Sequence, residues 1–356
     1  MNIFFRFVSA IYLKNFFIVF FALVAFYVGI DLLLNFKDLP HSANLVILYI
    51  LFLAFNAGSY LFPVCLVFAL IISLVSIIRT NELISLHCMG LSKNRIILYP
   101  FLWAIFLCFV YIGLNCTSFA YAQDYQRSIL KHSVLYTNDN KNIFFKYDDN
   151  FVFIQNYDNI SNKISNIKIF NIKDNKLHQI TQAASASYSD DSWHLNEVDE
   201  LKLPNELVLL GPGLKESKLD QSTALNDFKP KALEGVLNDS SYHILDLFEI
   251  IKVFYDQGLN TDQLRNKLYN LAILPFFAPF LMVIVYYFFP IMARFYNITL
   301  IAFGFFVLTL LVWGMLFVIA RLSQNGVIMP EFAILLPVFI LSYLAYKAFK
   351  KMKGNL

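Results

Sequence analysis

The chain has 356 residues, 58% hydrophobic, 17% aromatic and only 15% charged, which is too apolar for a water-soluble domain of that size. With 4 Cys and 38 Phe it is neither a disulfide-framed secreted module nor a disordered low-complexity chain. The net charge of +3 hides a split: residues 122–265 carry 15 Lys and Arg against 21 Asp and Glu, a net of −6, and the rest carries 13 against 4, a net of +9.

Apolar runs lie at Asn15–Phe36, Leu45–Ile78, Ile96–Tyr121, Leu268–Pro290, Ile298–Ala320 and Phe332–Phe349. Each reaches the ~17–20 residues that cross a ~30 Å hydrocarbon core. The second is longer, roughly 51 Å as a helix. It is either two short spans or one span with an added interfacial segment at about 45–60, and Ala57-Gly58-Ser59 with Pro63 predicts a break there. Arg6 and Lys14 flank the first run, and Arg79, Lys93 and Arg95 follow the second. Both flanks prefer the cytoplasm, so the long run counts once. Parity then puts residues 122–265 outside, the loop with Arg294 inside, Arg321 to Glu331 outside, and the tail with Lys347, Lys350, Lys351 and Lys353 inside. The first run is expected to stay as a span, since no small-residue cleavage site follows it.

The insert reads as β. Short, often alternating runs at Ile143–Tyr147, Phe151–Tyr157, Ile164–Ile172, Lys176–Thr181, Ala184–Tyr188 and Ser192–Val198 are separated by turns such as Asp148-Asp149-Asn150, Lys173-Asp174-Asn175 and Asp190-Asp191. They predict a sandwich or open barrel of jelly-roll type. The strand signal fades past Glu200, through Pro204, Gly211-Pro212-Gly213 and Pro230. From His243 to Asp256 an amphipathic helix is expected, with Ile244, Leu247, Phe248, Ile251 and Phe254 at helical spacing, lying at the membrane surface and ending at Gly258. The fold class is thus an α-helical polytopic membrane protein with six spans and an inserted all-β domain. Its parts are spans one to three in 1–125 with a cytoplasmic helix at about 80–90, the β domain in 132–240, the interfacial helix and linker in 241–266, and spans four to six in 267–356.

Several chemistries lack their residues. No G-x-x-x-x-G-K-[ST] cradle occurs, so ATP hydrolysis is not expected of this chain. Neither H-E-x-x-H nor G-x-S-x-G occurs; His194 and Glu197 stand three apart in an expected strand and need not share a face. Cys65, Cys88, Cys108 and Cys116 fall in or beside the spans without metal-ligand spacing, and an acidic insert repels nucleic-acid phosphate. No catalytic residue and no metal site is therefore assigned.

The stretch Arg79-Thr-Asn-Glu82-Leu83-Ile84-Ser85-Leu86-His87-Cys88-Met89-Gly90-Leu91-Ser92-Lys93 predicts a helix of two to three turns between spans two and three. Thr80 or Asn81 caps its start, Glu82 suits its positive end, and Gly90 closes it in a left-handed conformation. Leu83, Leu86 and His87 share a face. Such a helix is either a connector resting on the membrane or a knob that seats in another protein.

Three spans, a β insert and three more spans, with Arg79, Glu82-Leu83 and Met89-Gly90-Leu91-Ser92 after span two, resemble the lipopolysaccharide-export permeases of the LptF/LptG (YjgP/YjgQ) family. Phe151-Val152-Phe153-Ile154, Trp193-His194-Leu195 and the helix Leu247 to Gly258 continue the likeness, and the strand pattern leans toward the LptG-like member. The resemblance implies an inner-membrane ABC transporter subunit of a Gram-negative bacterium, paired with a paralogous permease around a lipid cavity. Two copies of a separate cytoplasmic ATPase, holding ATP and Mg²⁺, bind the coupling helices, so Arg79, Glu82, Leu83, Leu86, His87, Met89 and Gly90 are expected there. No cofactor is expected on this chain. The β domain hands lipopolysaccharide to a periplasmic bridge protein, and spans one and five line a lateral gate.

A phosphorylated lipid also needs a basic rim at the outer headgroup level. Lys37, Arg127, Lys131, Lys267 and Arg321 are placed for it, as they are for snorkelling to ordinary anionic lipids. Asp31 in span one either pairs with a basic residue of a neighbouring helix or reaches the interface. With Phe303 and Phe306 it is a candidate gate residue; Phe305 and Trp313 also belong to span five. Other lipid or lipoprotein-releasing ABC permeases place their large outer domain after the first span, and a lipid-modifying enzyme needs titratable residues that these spans nearly lack.

Overall fold

The computed structural model describes residues 3–132, 141–147, 150–158, 163–173, 176–189, 192–204, 213–225, 242–256, 260–292, 294 and 296–354. Of the positions named above, Asp148, Asp149, Asp174, Asn175, Asp190, Asp191, Gly211, Pro212, Pro230, Gly258 and the side chains of Lys131, Ile143, Lys173 and Lys353 lie outside them.

Helices α1 (Ile3–Leu34), α2 (Ala43–Arg79), α3 (Glu82–Cys88), α4 (Lys93–Asn115) and α5 (Ala122–His132) come first. Strands β1 (Lys141–Tyr147), β2 (Asn150–Asp158), β3 (Lys163–Lys173), β4 (Lys176–Ser189), β5 (Ser192–Lys202) and β6 (Lys215–Ala224) follow. Then come α6 (Ile244–Asp256), α7 (Asp262–Ala272), α8 (Phe277–Phe288), α9 (Ile298–Gln324) and α10 (Leu336–Gly354), which a π-turn at Glu331–Leu335 precedes. The chain forms two compact units: Met1–Leu135 with Ser241–Phe248 and Asp262–Leu356, and Tyr136–Ser240 with Glu249–Thr261.

In the helical unit α1, α2, α4, α9 and Glu331–Met352 are long and apolar enough to cross a membrane. The segments Asp262–Ala272 and Leu274–Phe288 make a sixth span if the pair, bent by 41°, is counted as one. The bend falls at a 3-10 turn that starts Leu274-Pro275, where proline withholds a backbone N–H from the helical ladder.

No break interrupts α2. It runs unbroken through Ala57, Gly58, Ser59 and Pro63, so the break expected from those residues does not occur. Gly58 serves close packing: a Cβ there would stand 3.3 Å from the Phe20 ring of α1. Proline is tolerated within a membrane helix when its neighbours keep the helix packed. Here Phe62, Pro63, Val64, Cys65 and Leu66 are all buried. At 37 residues α2 is roughly 55 Å long, well beyond a ~30 Å core. The excess lies at its first turns, where the polar helix α5 covers it: Asn56 donates to Gln126 at 2.8 Å, and Phe52 stacks on Tyr125.

The described strands of the inserted β unit form one antiparallel sheet in the order β1-β2-β3-β4-β5-β6, each strand beside its sequence neighbour. This is a meander, simpler than the double Greek key of a jelly roll. Two expected strands, Lys176–Thr181 and Ala184–Tyr188, are one strand, because Gln182-Ala183 carries no turn chemistry. β6 was not expected: its side chains are almost all exposed, so it has no alternation to read.

A transverse crease crosses the sheet. Ile154, Ile167, Ala183 and Val198 form one buried row in register, and Tyr157, Ile164, Ala186 and Leu195 form the next. Between the rows each of β2, β3, β4 and β5 carries two consecutive residues turned outward, such as Ser165-Asn166 and Asn196-Glu197, where strict alternation would turn one inward. In β3 and β5 the switch coincides with left-handed backbone at Asn166 and Glu197, both with φ 54°. Past the crease Tyr157 of β2 meets Trp193 of β5 edge-on at 6.5 Å, although β3 and β4 lie between. The sheet curls toward this face over small Ala186, so one sheet encloses its own core.

Left-handed backbone costs an L-residue about 1–2 kcal/mol, and a β-branched one more. Glu197 already carries this strain, so Glu197→Val is expected to destabilise the β unit by about 1 kcal/mol more, and Glu197→Gly, which relieves it, to be neutral or stabilising. Amide exchange of β4 and β5 in the detergent-solubilised protein checks both.

Candidate coupling site and basic rim

The α3 end of the helical unit gathers the frame's cations. Arg79 closes α2, Lys93 opens α4, and Arg6, Lys14 and Arg95 are exposed. Asn94 at the foot of α4 donates to the Phe349 carbonyl of α10 at 3.1 Å, so α10's Lys347, Lys350 and Lys351 share this end.

α3 is short, and its ends are fixed by backbone geometry. Asn81 starts it from a left-handed conformation, φ 60°, without a side-chain cap. Gly90, φ +82°, ends it as expected: Leu91 N–H reaches the Leu86 carbonyl at 3.2 Å and Gly90 N–H the His87 carbonyl at 2.9 Å, the paired bonds of a Schellman closure. His87 Nδ1 lies 2.8 Å from the Leu91 carbonyl.

The apolar face that the sequence offered to another protein is turned inward. Leu83 and Leu86 are buried in the large core of the helical unit, with Leu91 beside them. Burying two such side chains is worth about 1.5–3 kcal/mol each, enough to hold a helix this short. Glu82 and His87 are half-buried. The outward surface is Asn81, Ser85, Cys88, Met89 and Gly90, with Met89 66% exposed. Arg79 turns from α3 to α9: its Nη2 donates to Thr299 Oγ1 at 2.7 Å.

The opposite end carries the rim candidates. Lys37 and Arg127 are exposed, and Arg321 is held by Gln324 at 2.8 Å and lies over the Phe317 ring. None of these three has an acidic partner among the described residues. Lys267 is half-buried, its ammonium 4.7 Å from the Tyr242 ring centre. Arg265, which no pattern in the sequence singled out, is bound by two carboxylates, Asp262 of its own helix and Glu331 of the π-turn. It is already neutralised and joins span four to the start of span six. Asn266 beside it is buried and donates to the Ala320 carbonyl of α9 at 3.2 Å. Only the 66-residue separation of Arg265 from Glu331 hid this clamp.

Asp31 pairs with neutral donors: Tyr49 O–H at 2.5 Å and Asn35 Nδ2 at 3.1 Å. Tyr49 is fully buried, so the carboxylate ties α1 to α2 in a small core that also contains Ile129 of α5. Phe303 and Phe306 have different surroundings. Phe303 is 67% exposed, whereas Phe306 meets Phe68 of α2 edge-on at 4.7 Å. Only 11% of the most apolar stretch of α1 and 17% of that of α9 is buried, against 72% for α2, so these two helices present the freest apolar surface.

Two substitutions test this geometry. Gly90→Ala meets open space but keeps the left-handed strain, so it is expected to cost about 1 kcal/mol and to speed amide exchange across α3. Tyr49→Phe removes a hydrogen bond to a charged acceptor and is expected to cost about 1.5–3 kcal/mol, read as a lower melting temperature in detergent.

The family model described as lipopolysaccharide export system permease LptF/LptG matches residues 6–351. Among the curated proteins compared with the chain, none matches.

Proposed function

Because the chain belongs to the lipopolysaccharide export permease family LptF/LptG, we propose that it is one permease subunit of an ABC exporter that lifts lipopolysaccharide from the inner membrane and passes it to a periplasmic bridge. The observation that carries this reading is the family match over residues 6–351, nearly the whole chain. The charge split supports the orientation. The α3 end, with Arg79, Lys93, Arg95 and the tail lysines, faces the cytoplasm, and the acidic β unit lies in the periplasm.

In this reading the chain pairs with a paralogous permease, and its least buried helices, α1 and α9, line the lateral gate. Two copies of a separate ATPase dock on the coupling helices and hold ATP and Mg²⁺. On this chain they meet Asn81, Ser85, Cys88 and Met89, while Leu83, Leu86 and Gly90 keep α3 in shape behind that surface. ATP-driven closure of the ATPases displaces α3, the cavity narrows, and lipid moves outward. Lys37, Arg127, Lys131, Lys267 and Arg321 meet the phosphorylated headgroup; Arg265, neutralised by two carboxylates, does not. The bridge takes the lipid from the creased sheet.

Affinity purification in mild detergent tests the assignment. An ABC ATPase, a second permease and lipopolysaccharide are expected to co-purify, and recovery of none of them refutes it. Within the assembled complex, neutralising Arg127 and Lys131 together is expected to lower lipid-stimulated ATP turnover several-fold at low salt, since exposed ionic contacts weaken with screening. Unchanged stimulation removes the pair from the headgroup site.

A further inference from the structure

We infer that Arg79 is a positioning residue that passes displacement of α3 to the foot of α9, and so to the gate, through the hydroxyl of Thr299. This rests on the reading of α3 as the ATPase contact.

Arg79 is the last residue of α2, three positions before α3 begins, and its guanidinium is engaged by α9. Its bond to Thr299 Oγ1, at 2.7 Å, spans 220 residues and lands in the first turn of α9. That turn is defined on its other side by Asn297, whose Oδ1 accepts from Leu300 N–H at 3.4 Å. Ile298, between the two, is buried in the core that also contains Ile77, Ile78, Leu83 and Leu86. The foot of α9 is therefore fixed by an apolar anchor, a cap and one bond from the α2–α3 junction.

The Arg79–Thr299 bond is solvent-exposed and adds little to stability. What it joins gives it importance. From the Thr299 turn α9 rises through Phe303 to Phe306, which packs on Phe68 of α2. Leu300, Phe303, Leu311 and Met315, all about two-thirds exposed, belong to the apolar surface this helix presents. A shift at the α2–α3 junction reaches that surface in two steps, through one hydroxyl. Among the described residues, the other route between α3 and α9 is core packing.

Thr299→Val keeps the shape of the side chain and deletes the acceptor, whereas Thr299→Ser keeps the hydroxyl. Both are to be compared with the natural chain in the assembled complex, reconstituted in lipid, by ATP turnover with and without lipopolysaccharide. Thr299→Val is expected to retain its ATPase subunits and its lipid-free turnover and to lose about threefold or more of the stimulation, a typical range for mutations along a coupling route. Thr299→Ser is expected to match the natural chain. Full stimulation in Thr299→Val overturns the inference, and so does an equal loss in both variants, which would assign the effect to packing. If the natural chain assembles with no ATPase, the reading of α3 falls instead, so the two failures are distinct.

Discussion

The helical unit depends on one constraint: a backbone in hydrocarbon must satisfy its own hydrogen bonds, so each span is a helix whether or not others cover it, and the spans differ in how much of their surface is packed. α2 meets it with 37 residues and the most buried surface of any candidate span. Tyr12 of α1 donates to the Leu66 carbonyl at 3.3 Å and lies 3.7 Å from Met282 of α8, so three elements meet on one buried hydroxyl. Asn15 of α1 adds a bond to Ser73 at 2.8 Å. Phe306 brings α9 to the same helix and α5 covers its first turns. The remaining helices are positioned by what α2 leaves uncovered, which is why α1 and α9 keep so much apolar surface.

The two ends of this bundle are built differently. At the α3 end, cations are exposed and the links between helices are single hydrogen bonds. At the other, Arg265 is held by two carboxylates and Asn266 fixes α9, next to a small core of Ala320, Ala333 and Ile334. Spans four to six are thus clamped by polar bonds where span four bends and where the π-turn begins, and are held at their opposite ends by core packing around Phe289, Ile298, Ala345 and Ala348.

Much of this was legible in the sequence because it is local or additive. The charge split, the apolar runs, the amphipathic α6 and the left-handed Gly90 each leave a signal within a few residues. The failures have physical causes as well. Gly58 and Pro63 read as a break because sequence cannot distinguish a glycine that bends a chain from one that admits the Phe20 ring. The crease in the sheet appears only when four strands are aligned in register. Leu83 and Leu86 have helical spacing whether they face a partner or their own core, and the inward choice is made by neighbours distant in the chain. Thr299 and Tyr49 gave no signal, since a single hydroxyl has no pattern until its partner is placed.

The thiols have a practical consequence. Cys65 and Cys108 are buried and Cys116 is half-buried, while Cys88, the last residue of α3, is exposed. A maleimide dye or spin label added to the unmutated protein in gentle conditions is therefore directed to the tip of α3. The natural sequence carries its own attachment point for spectroscopy, at the end of α3.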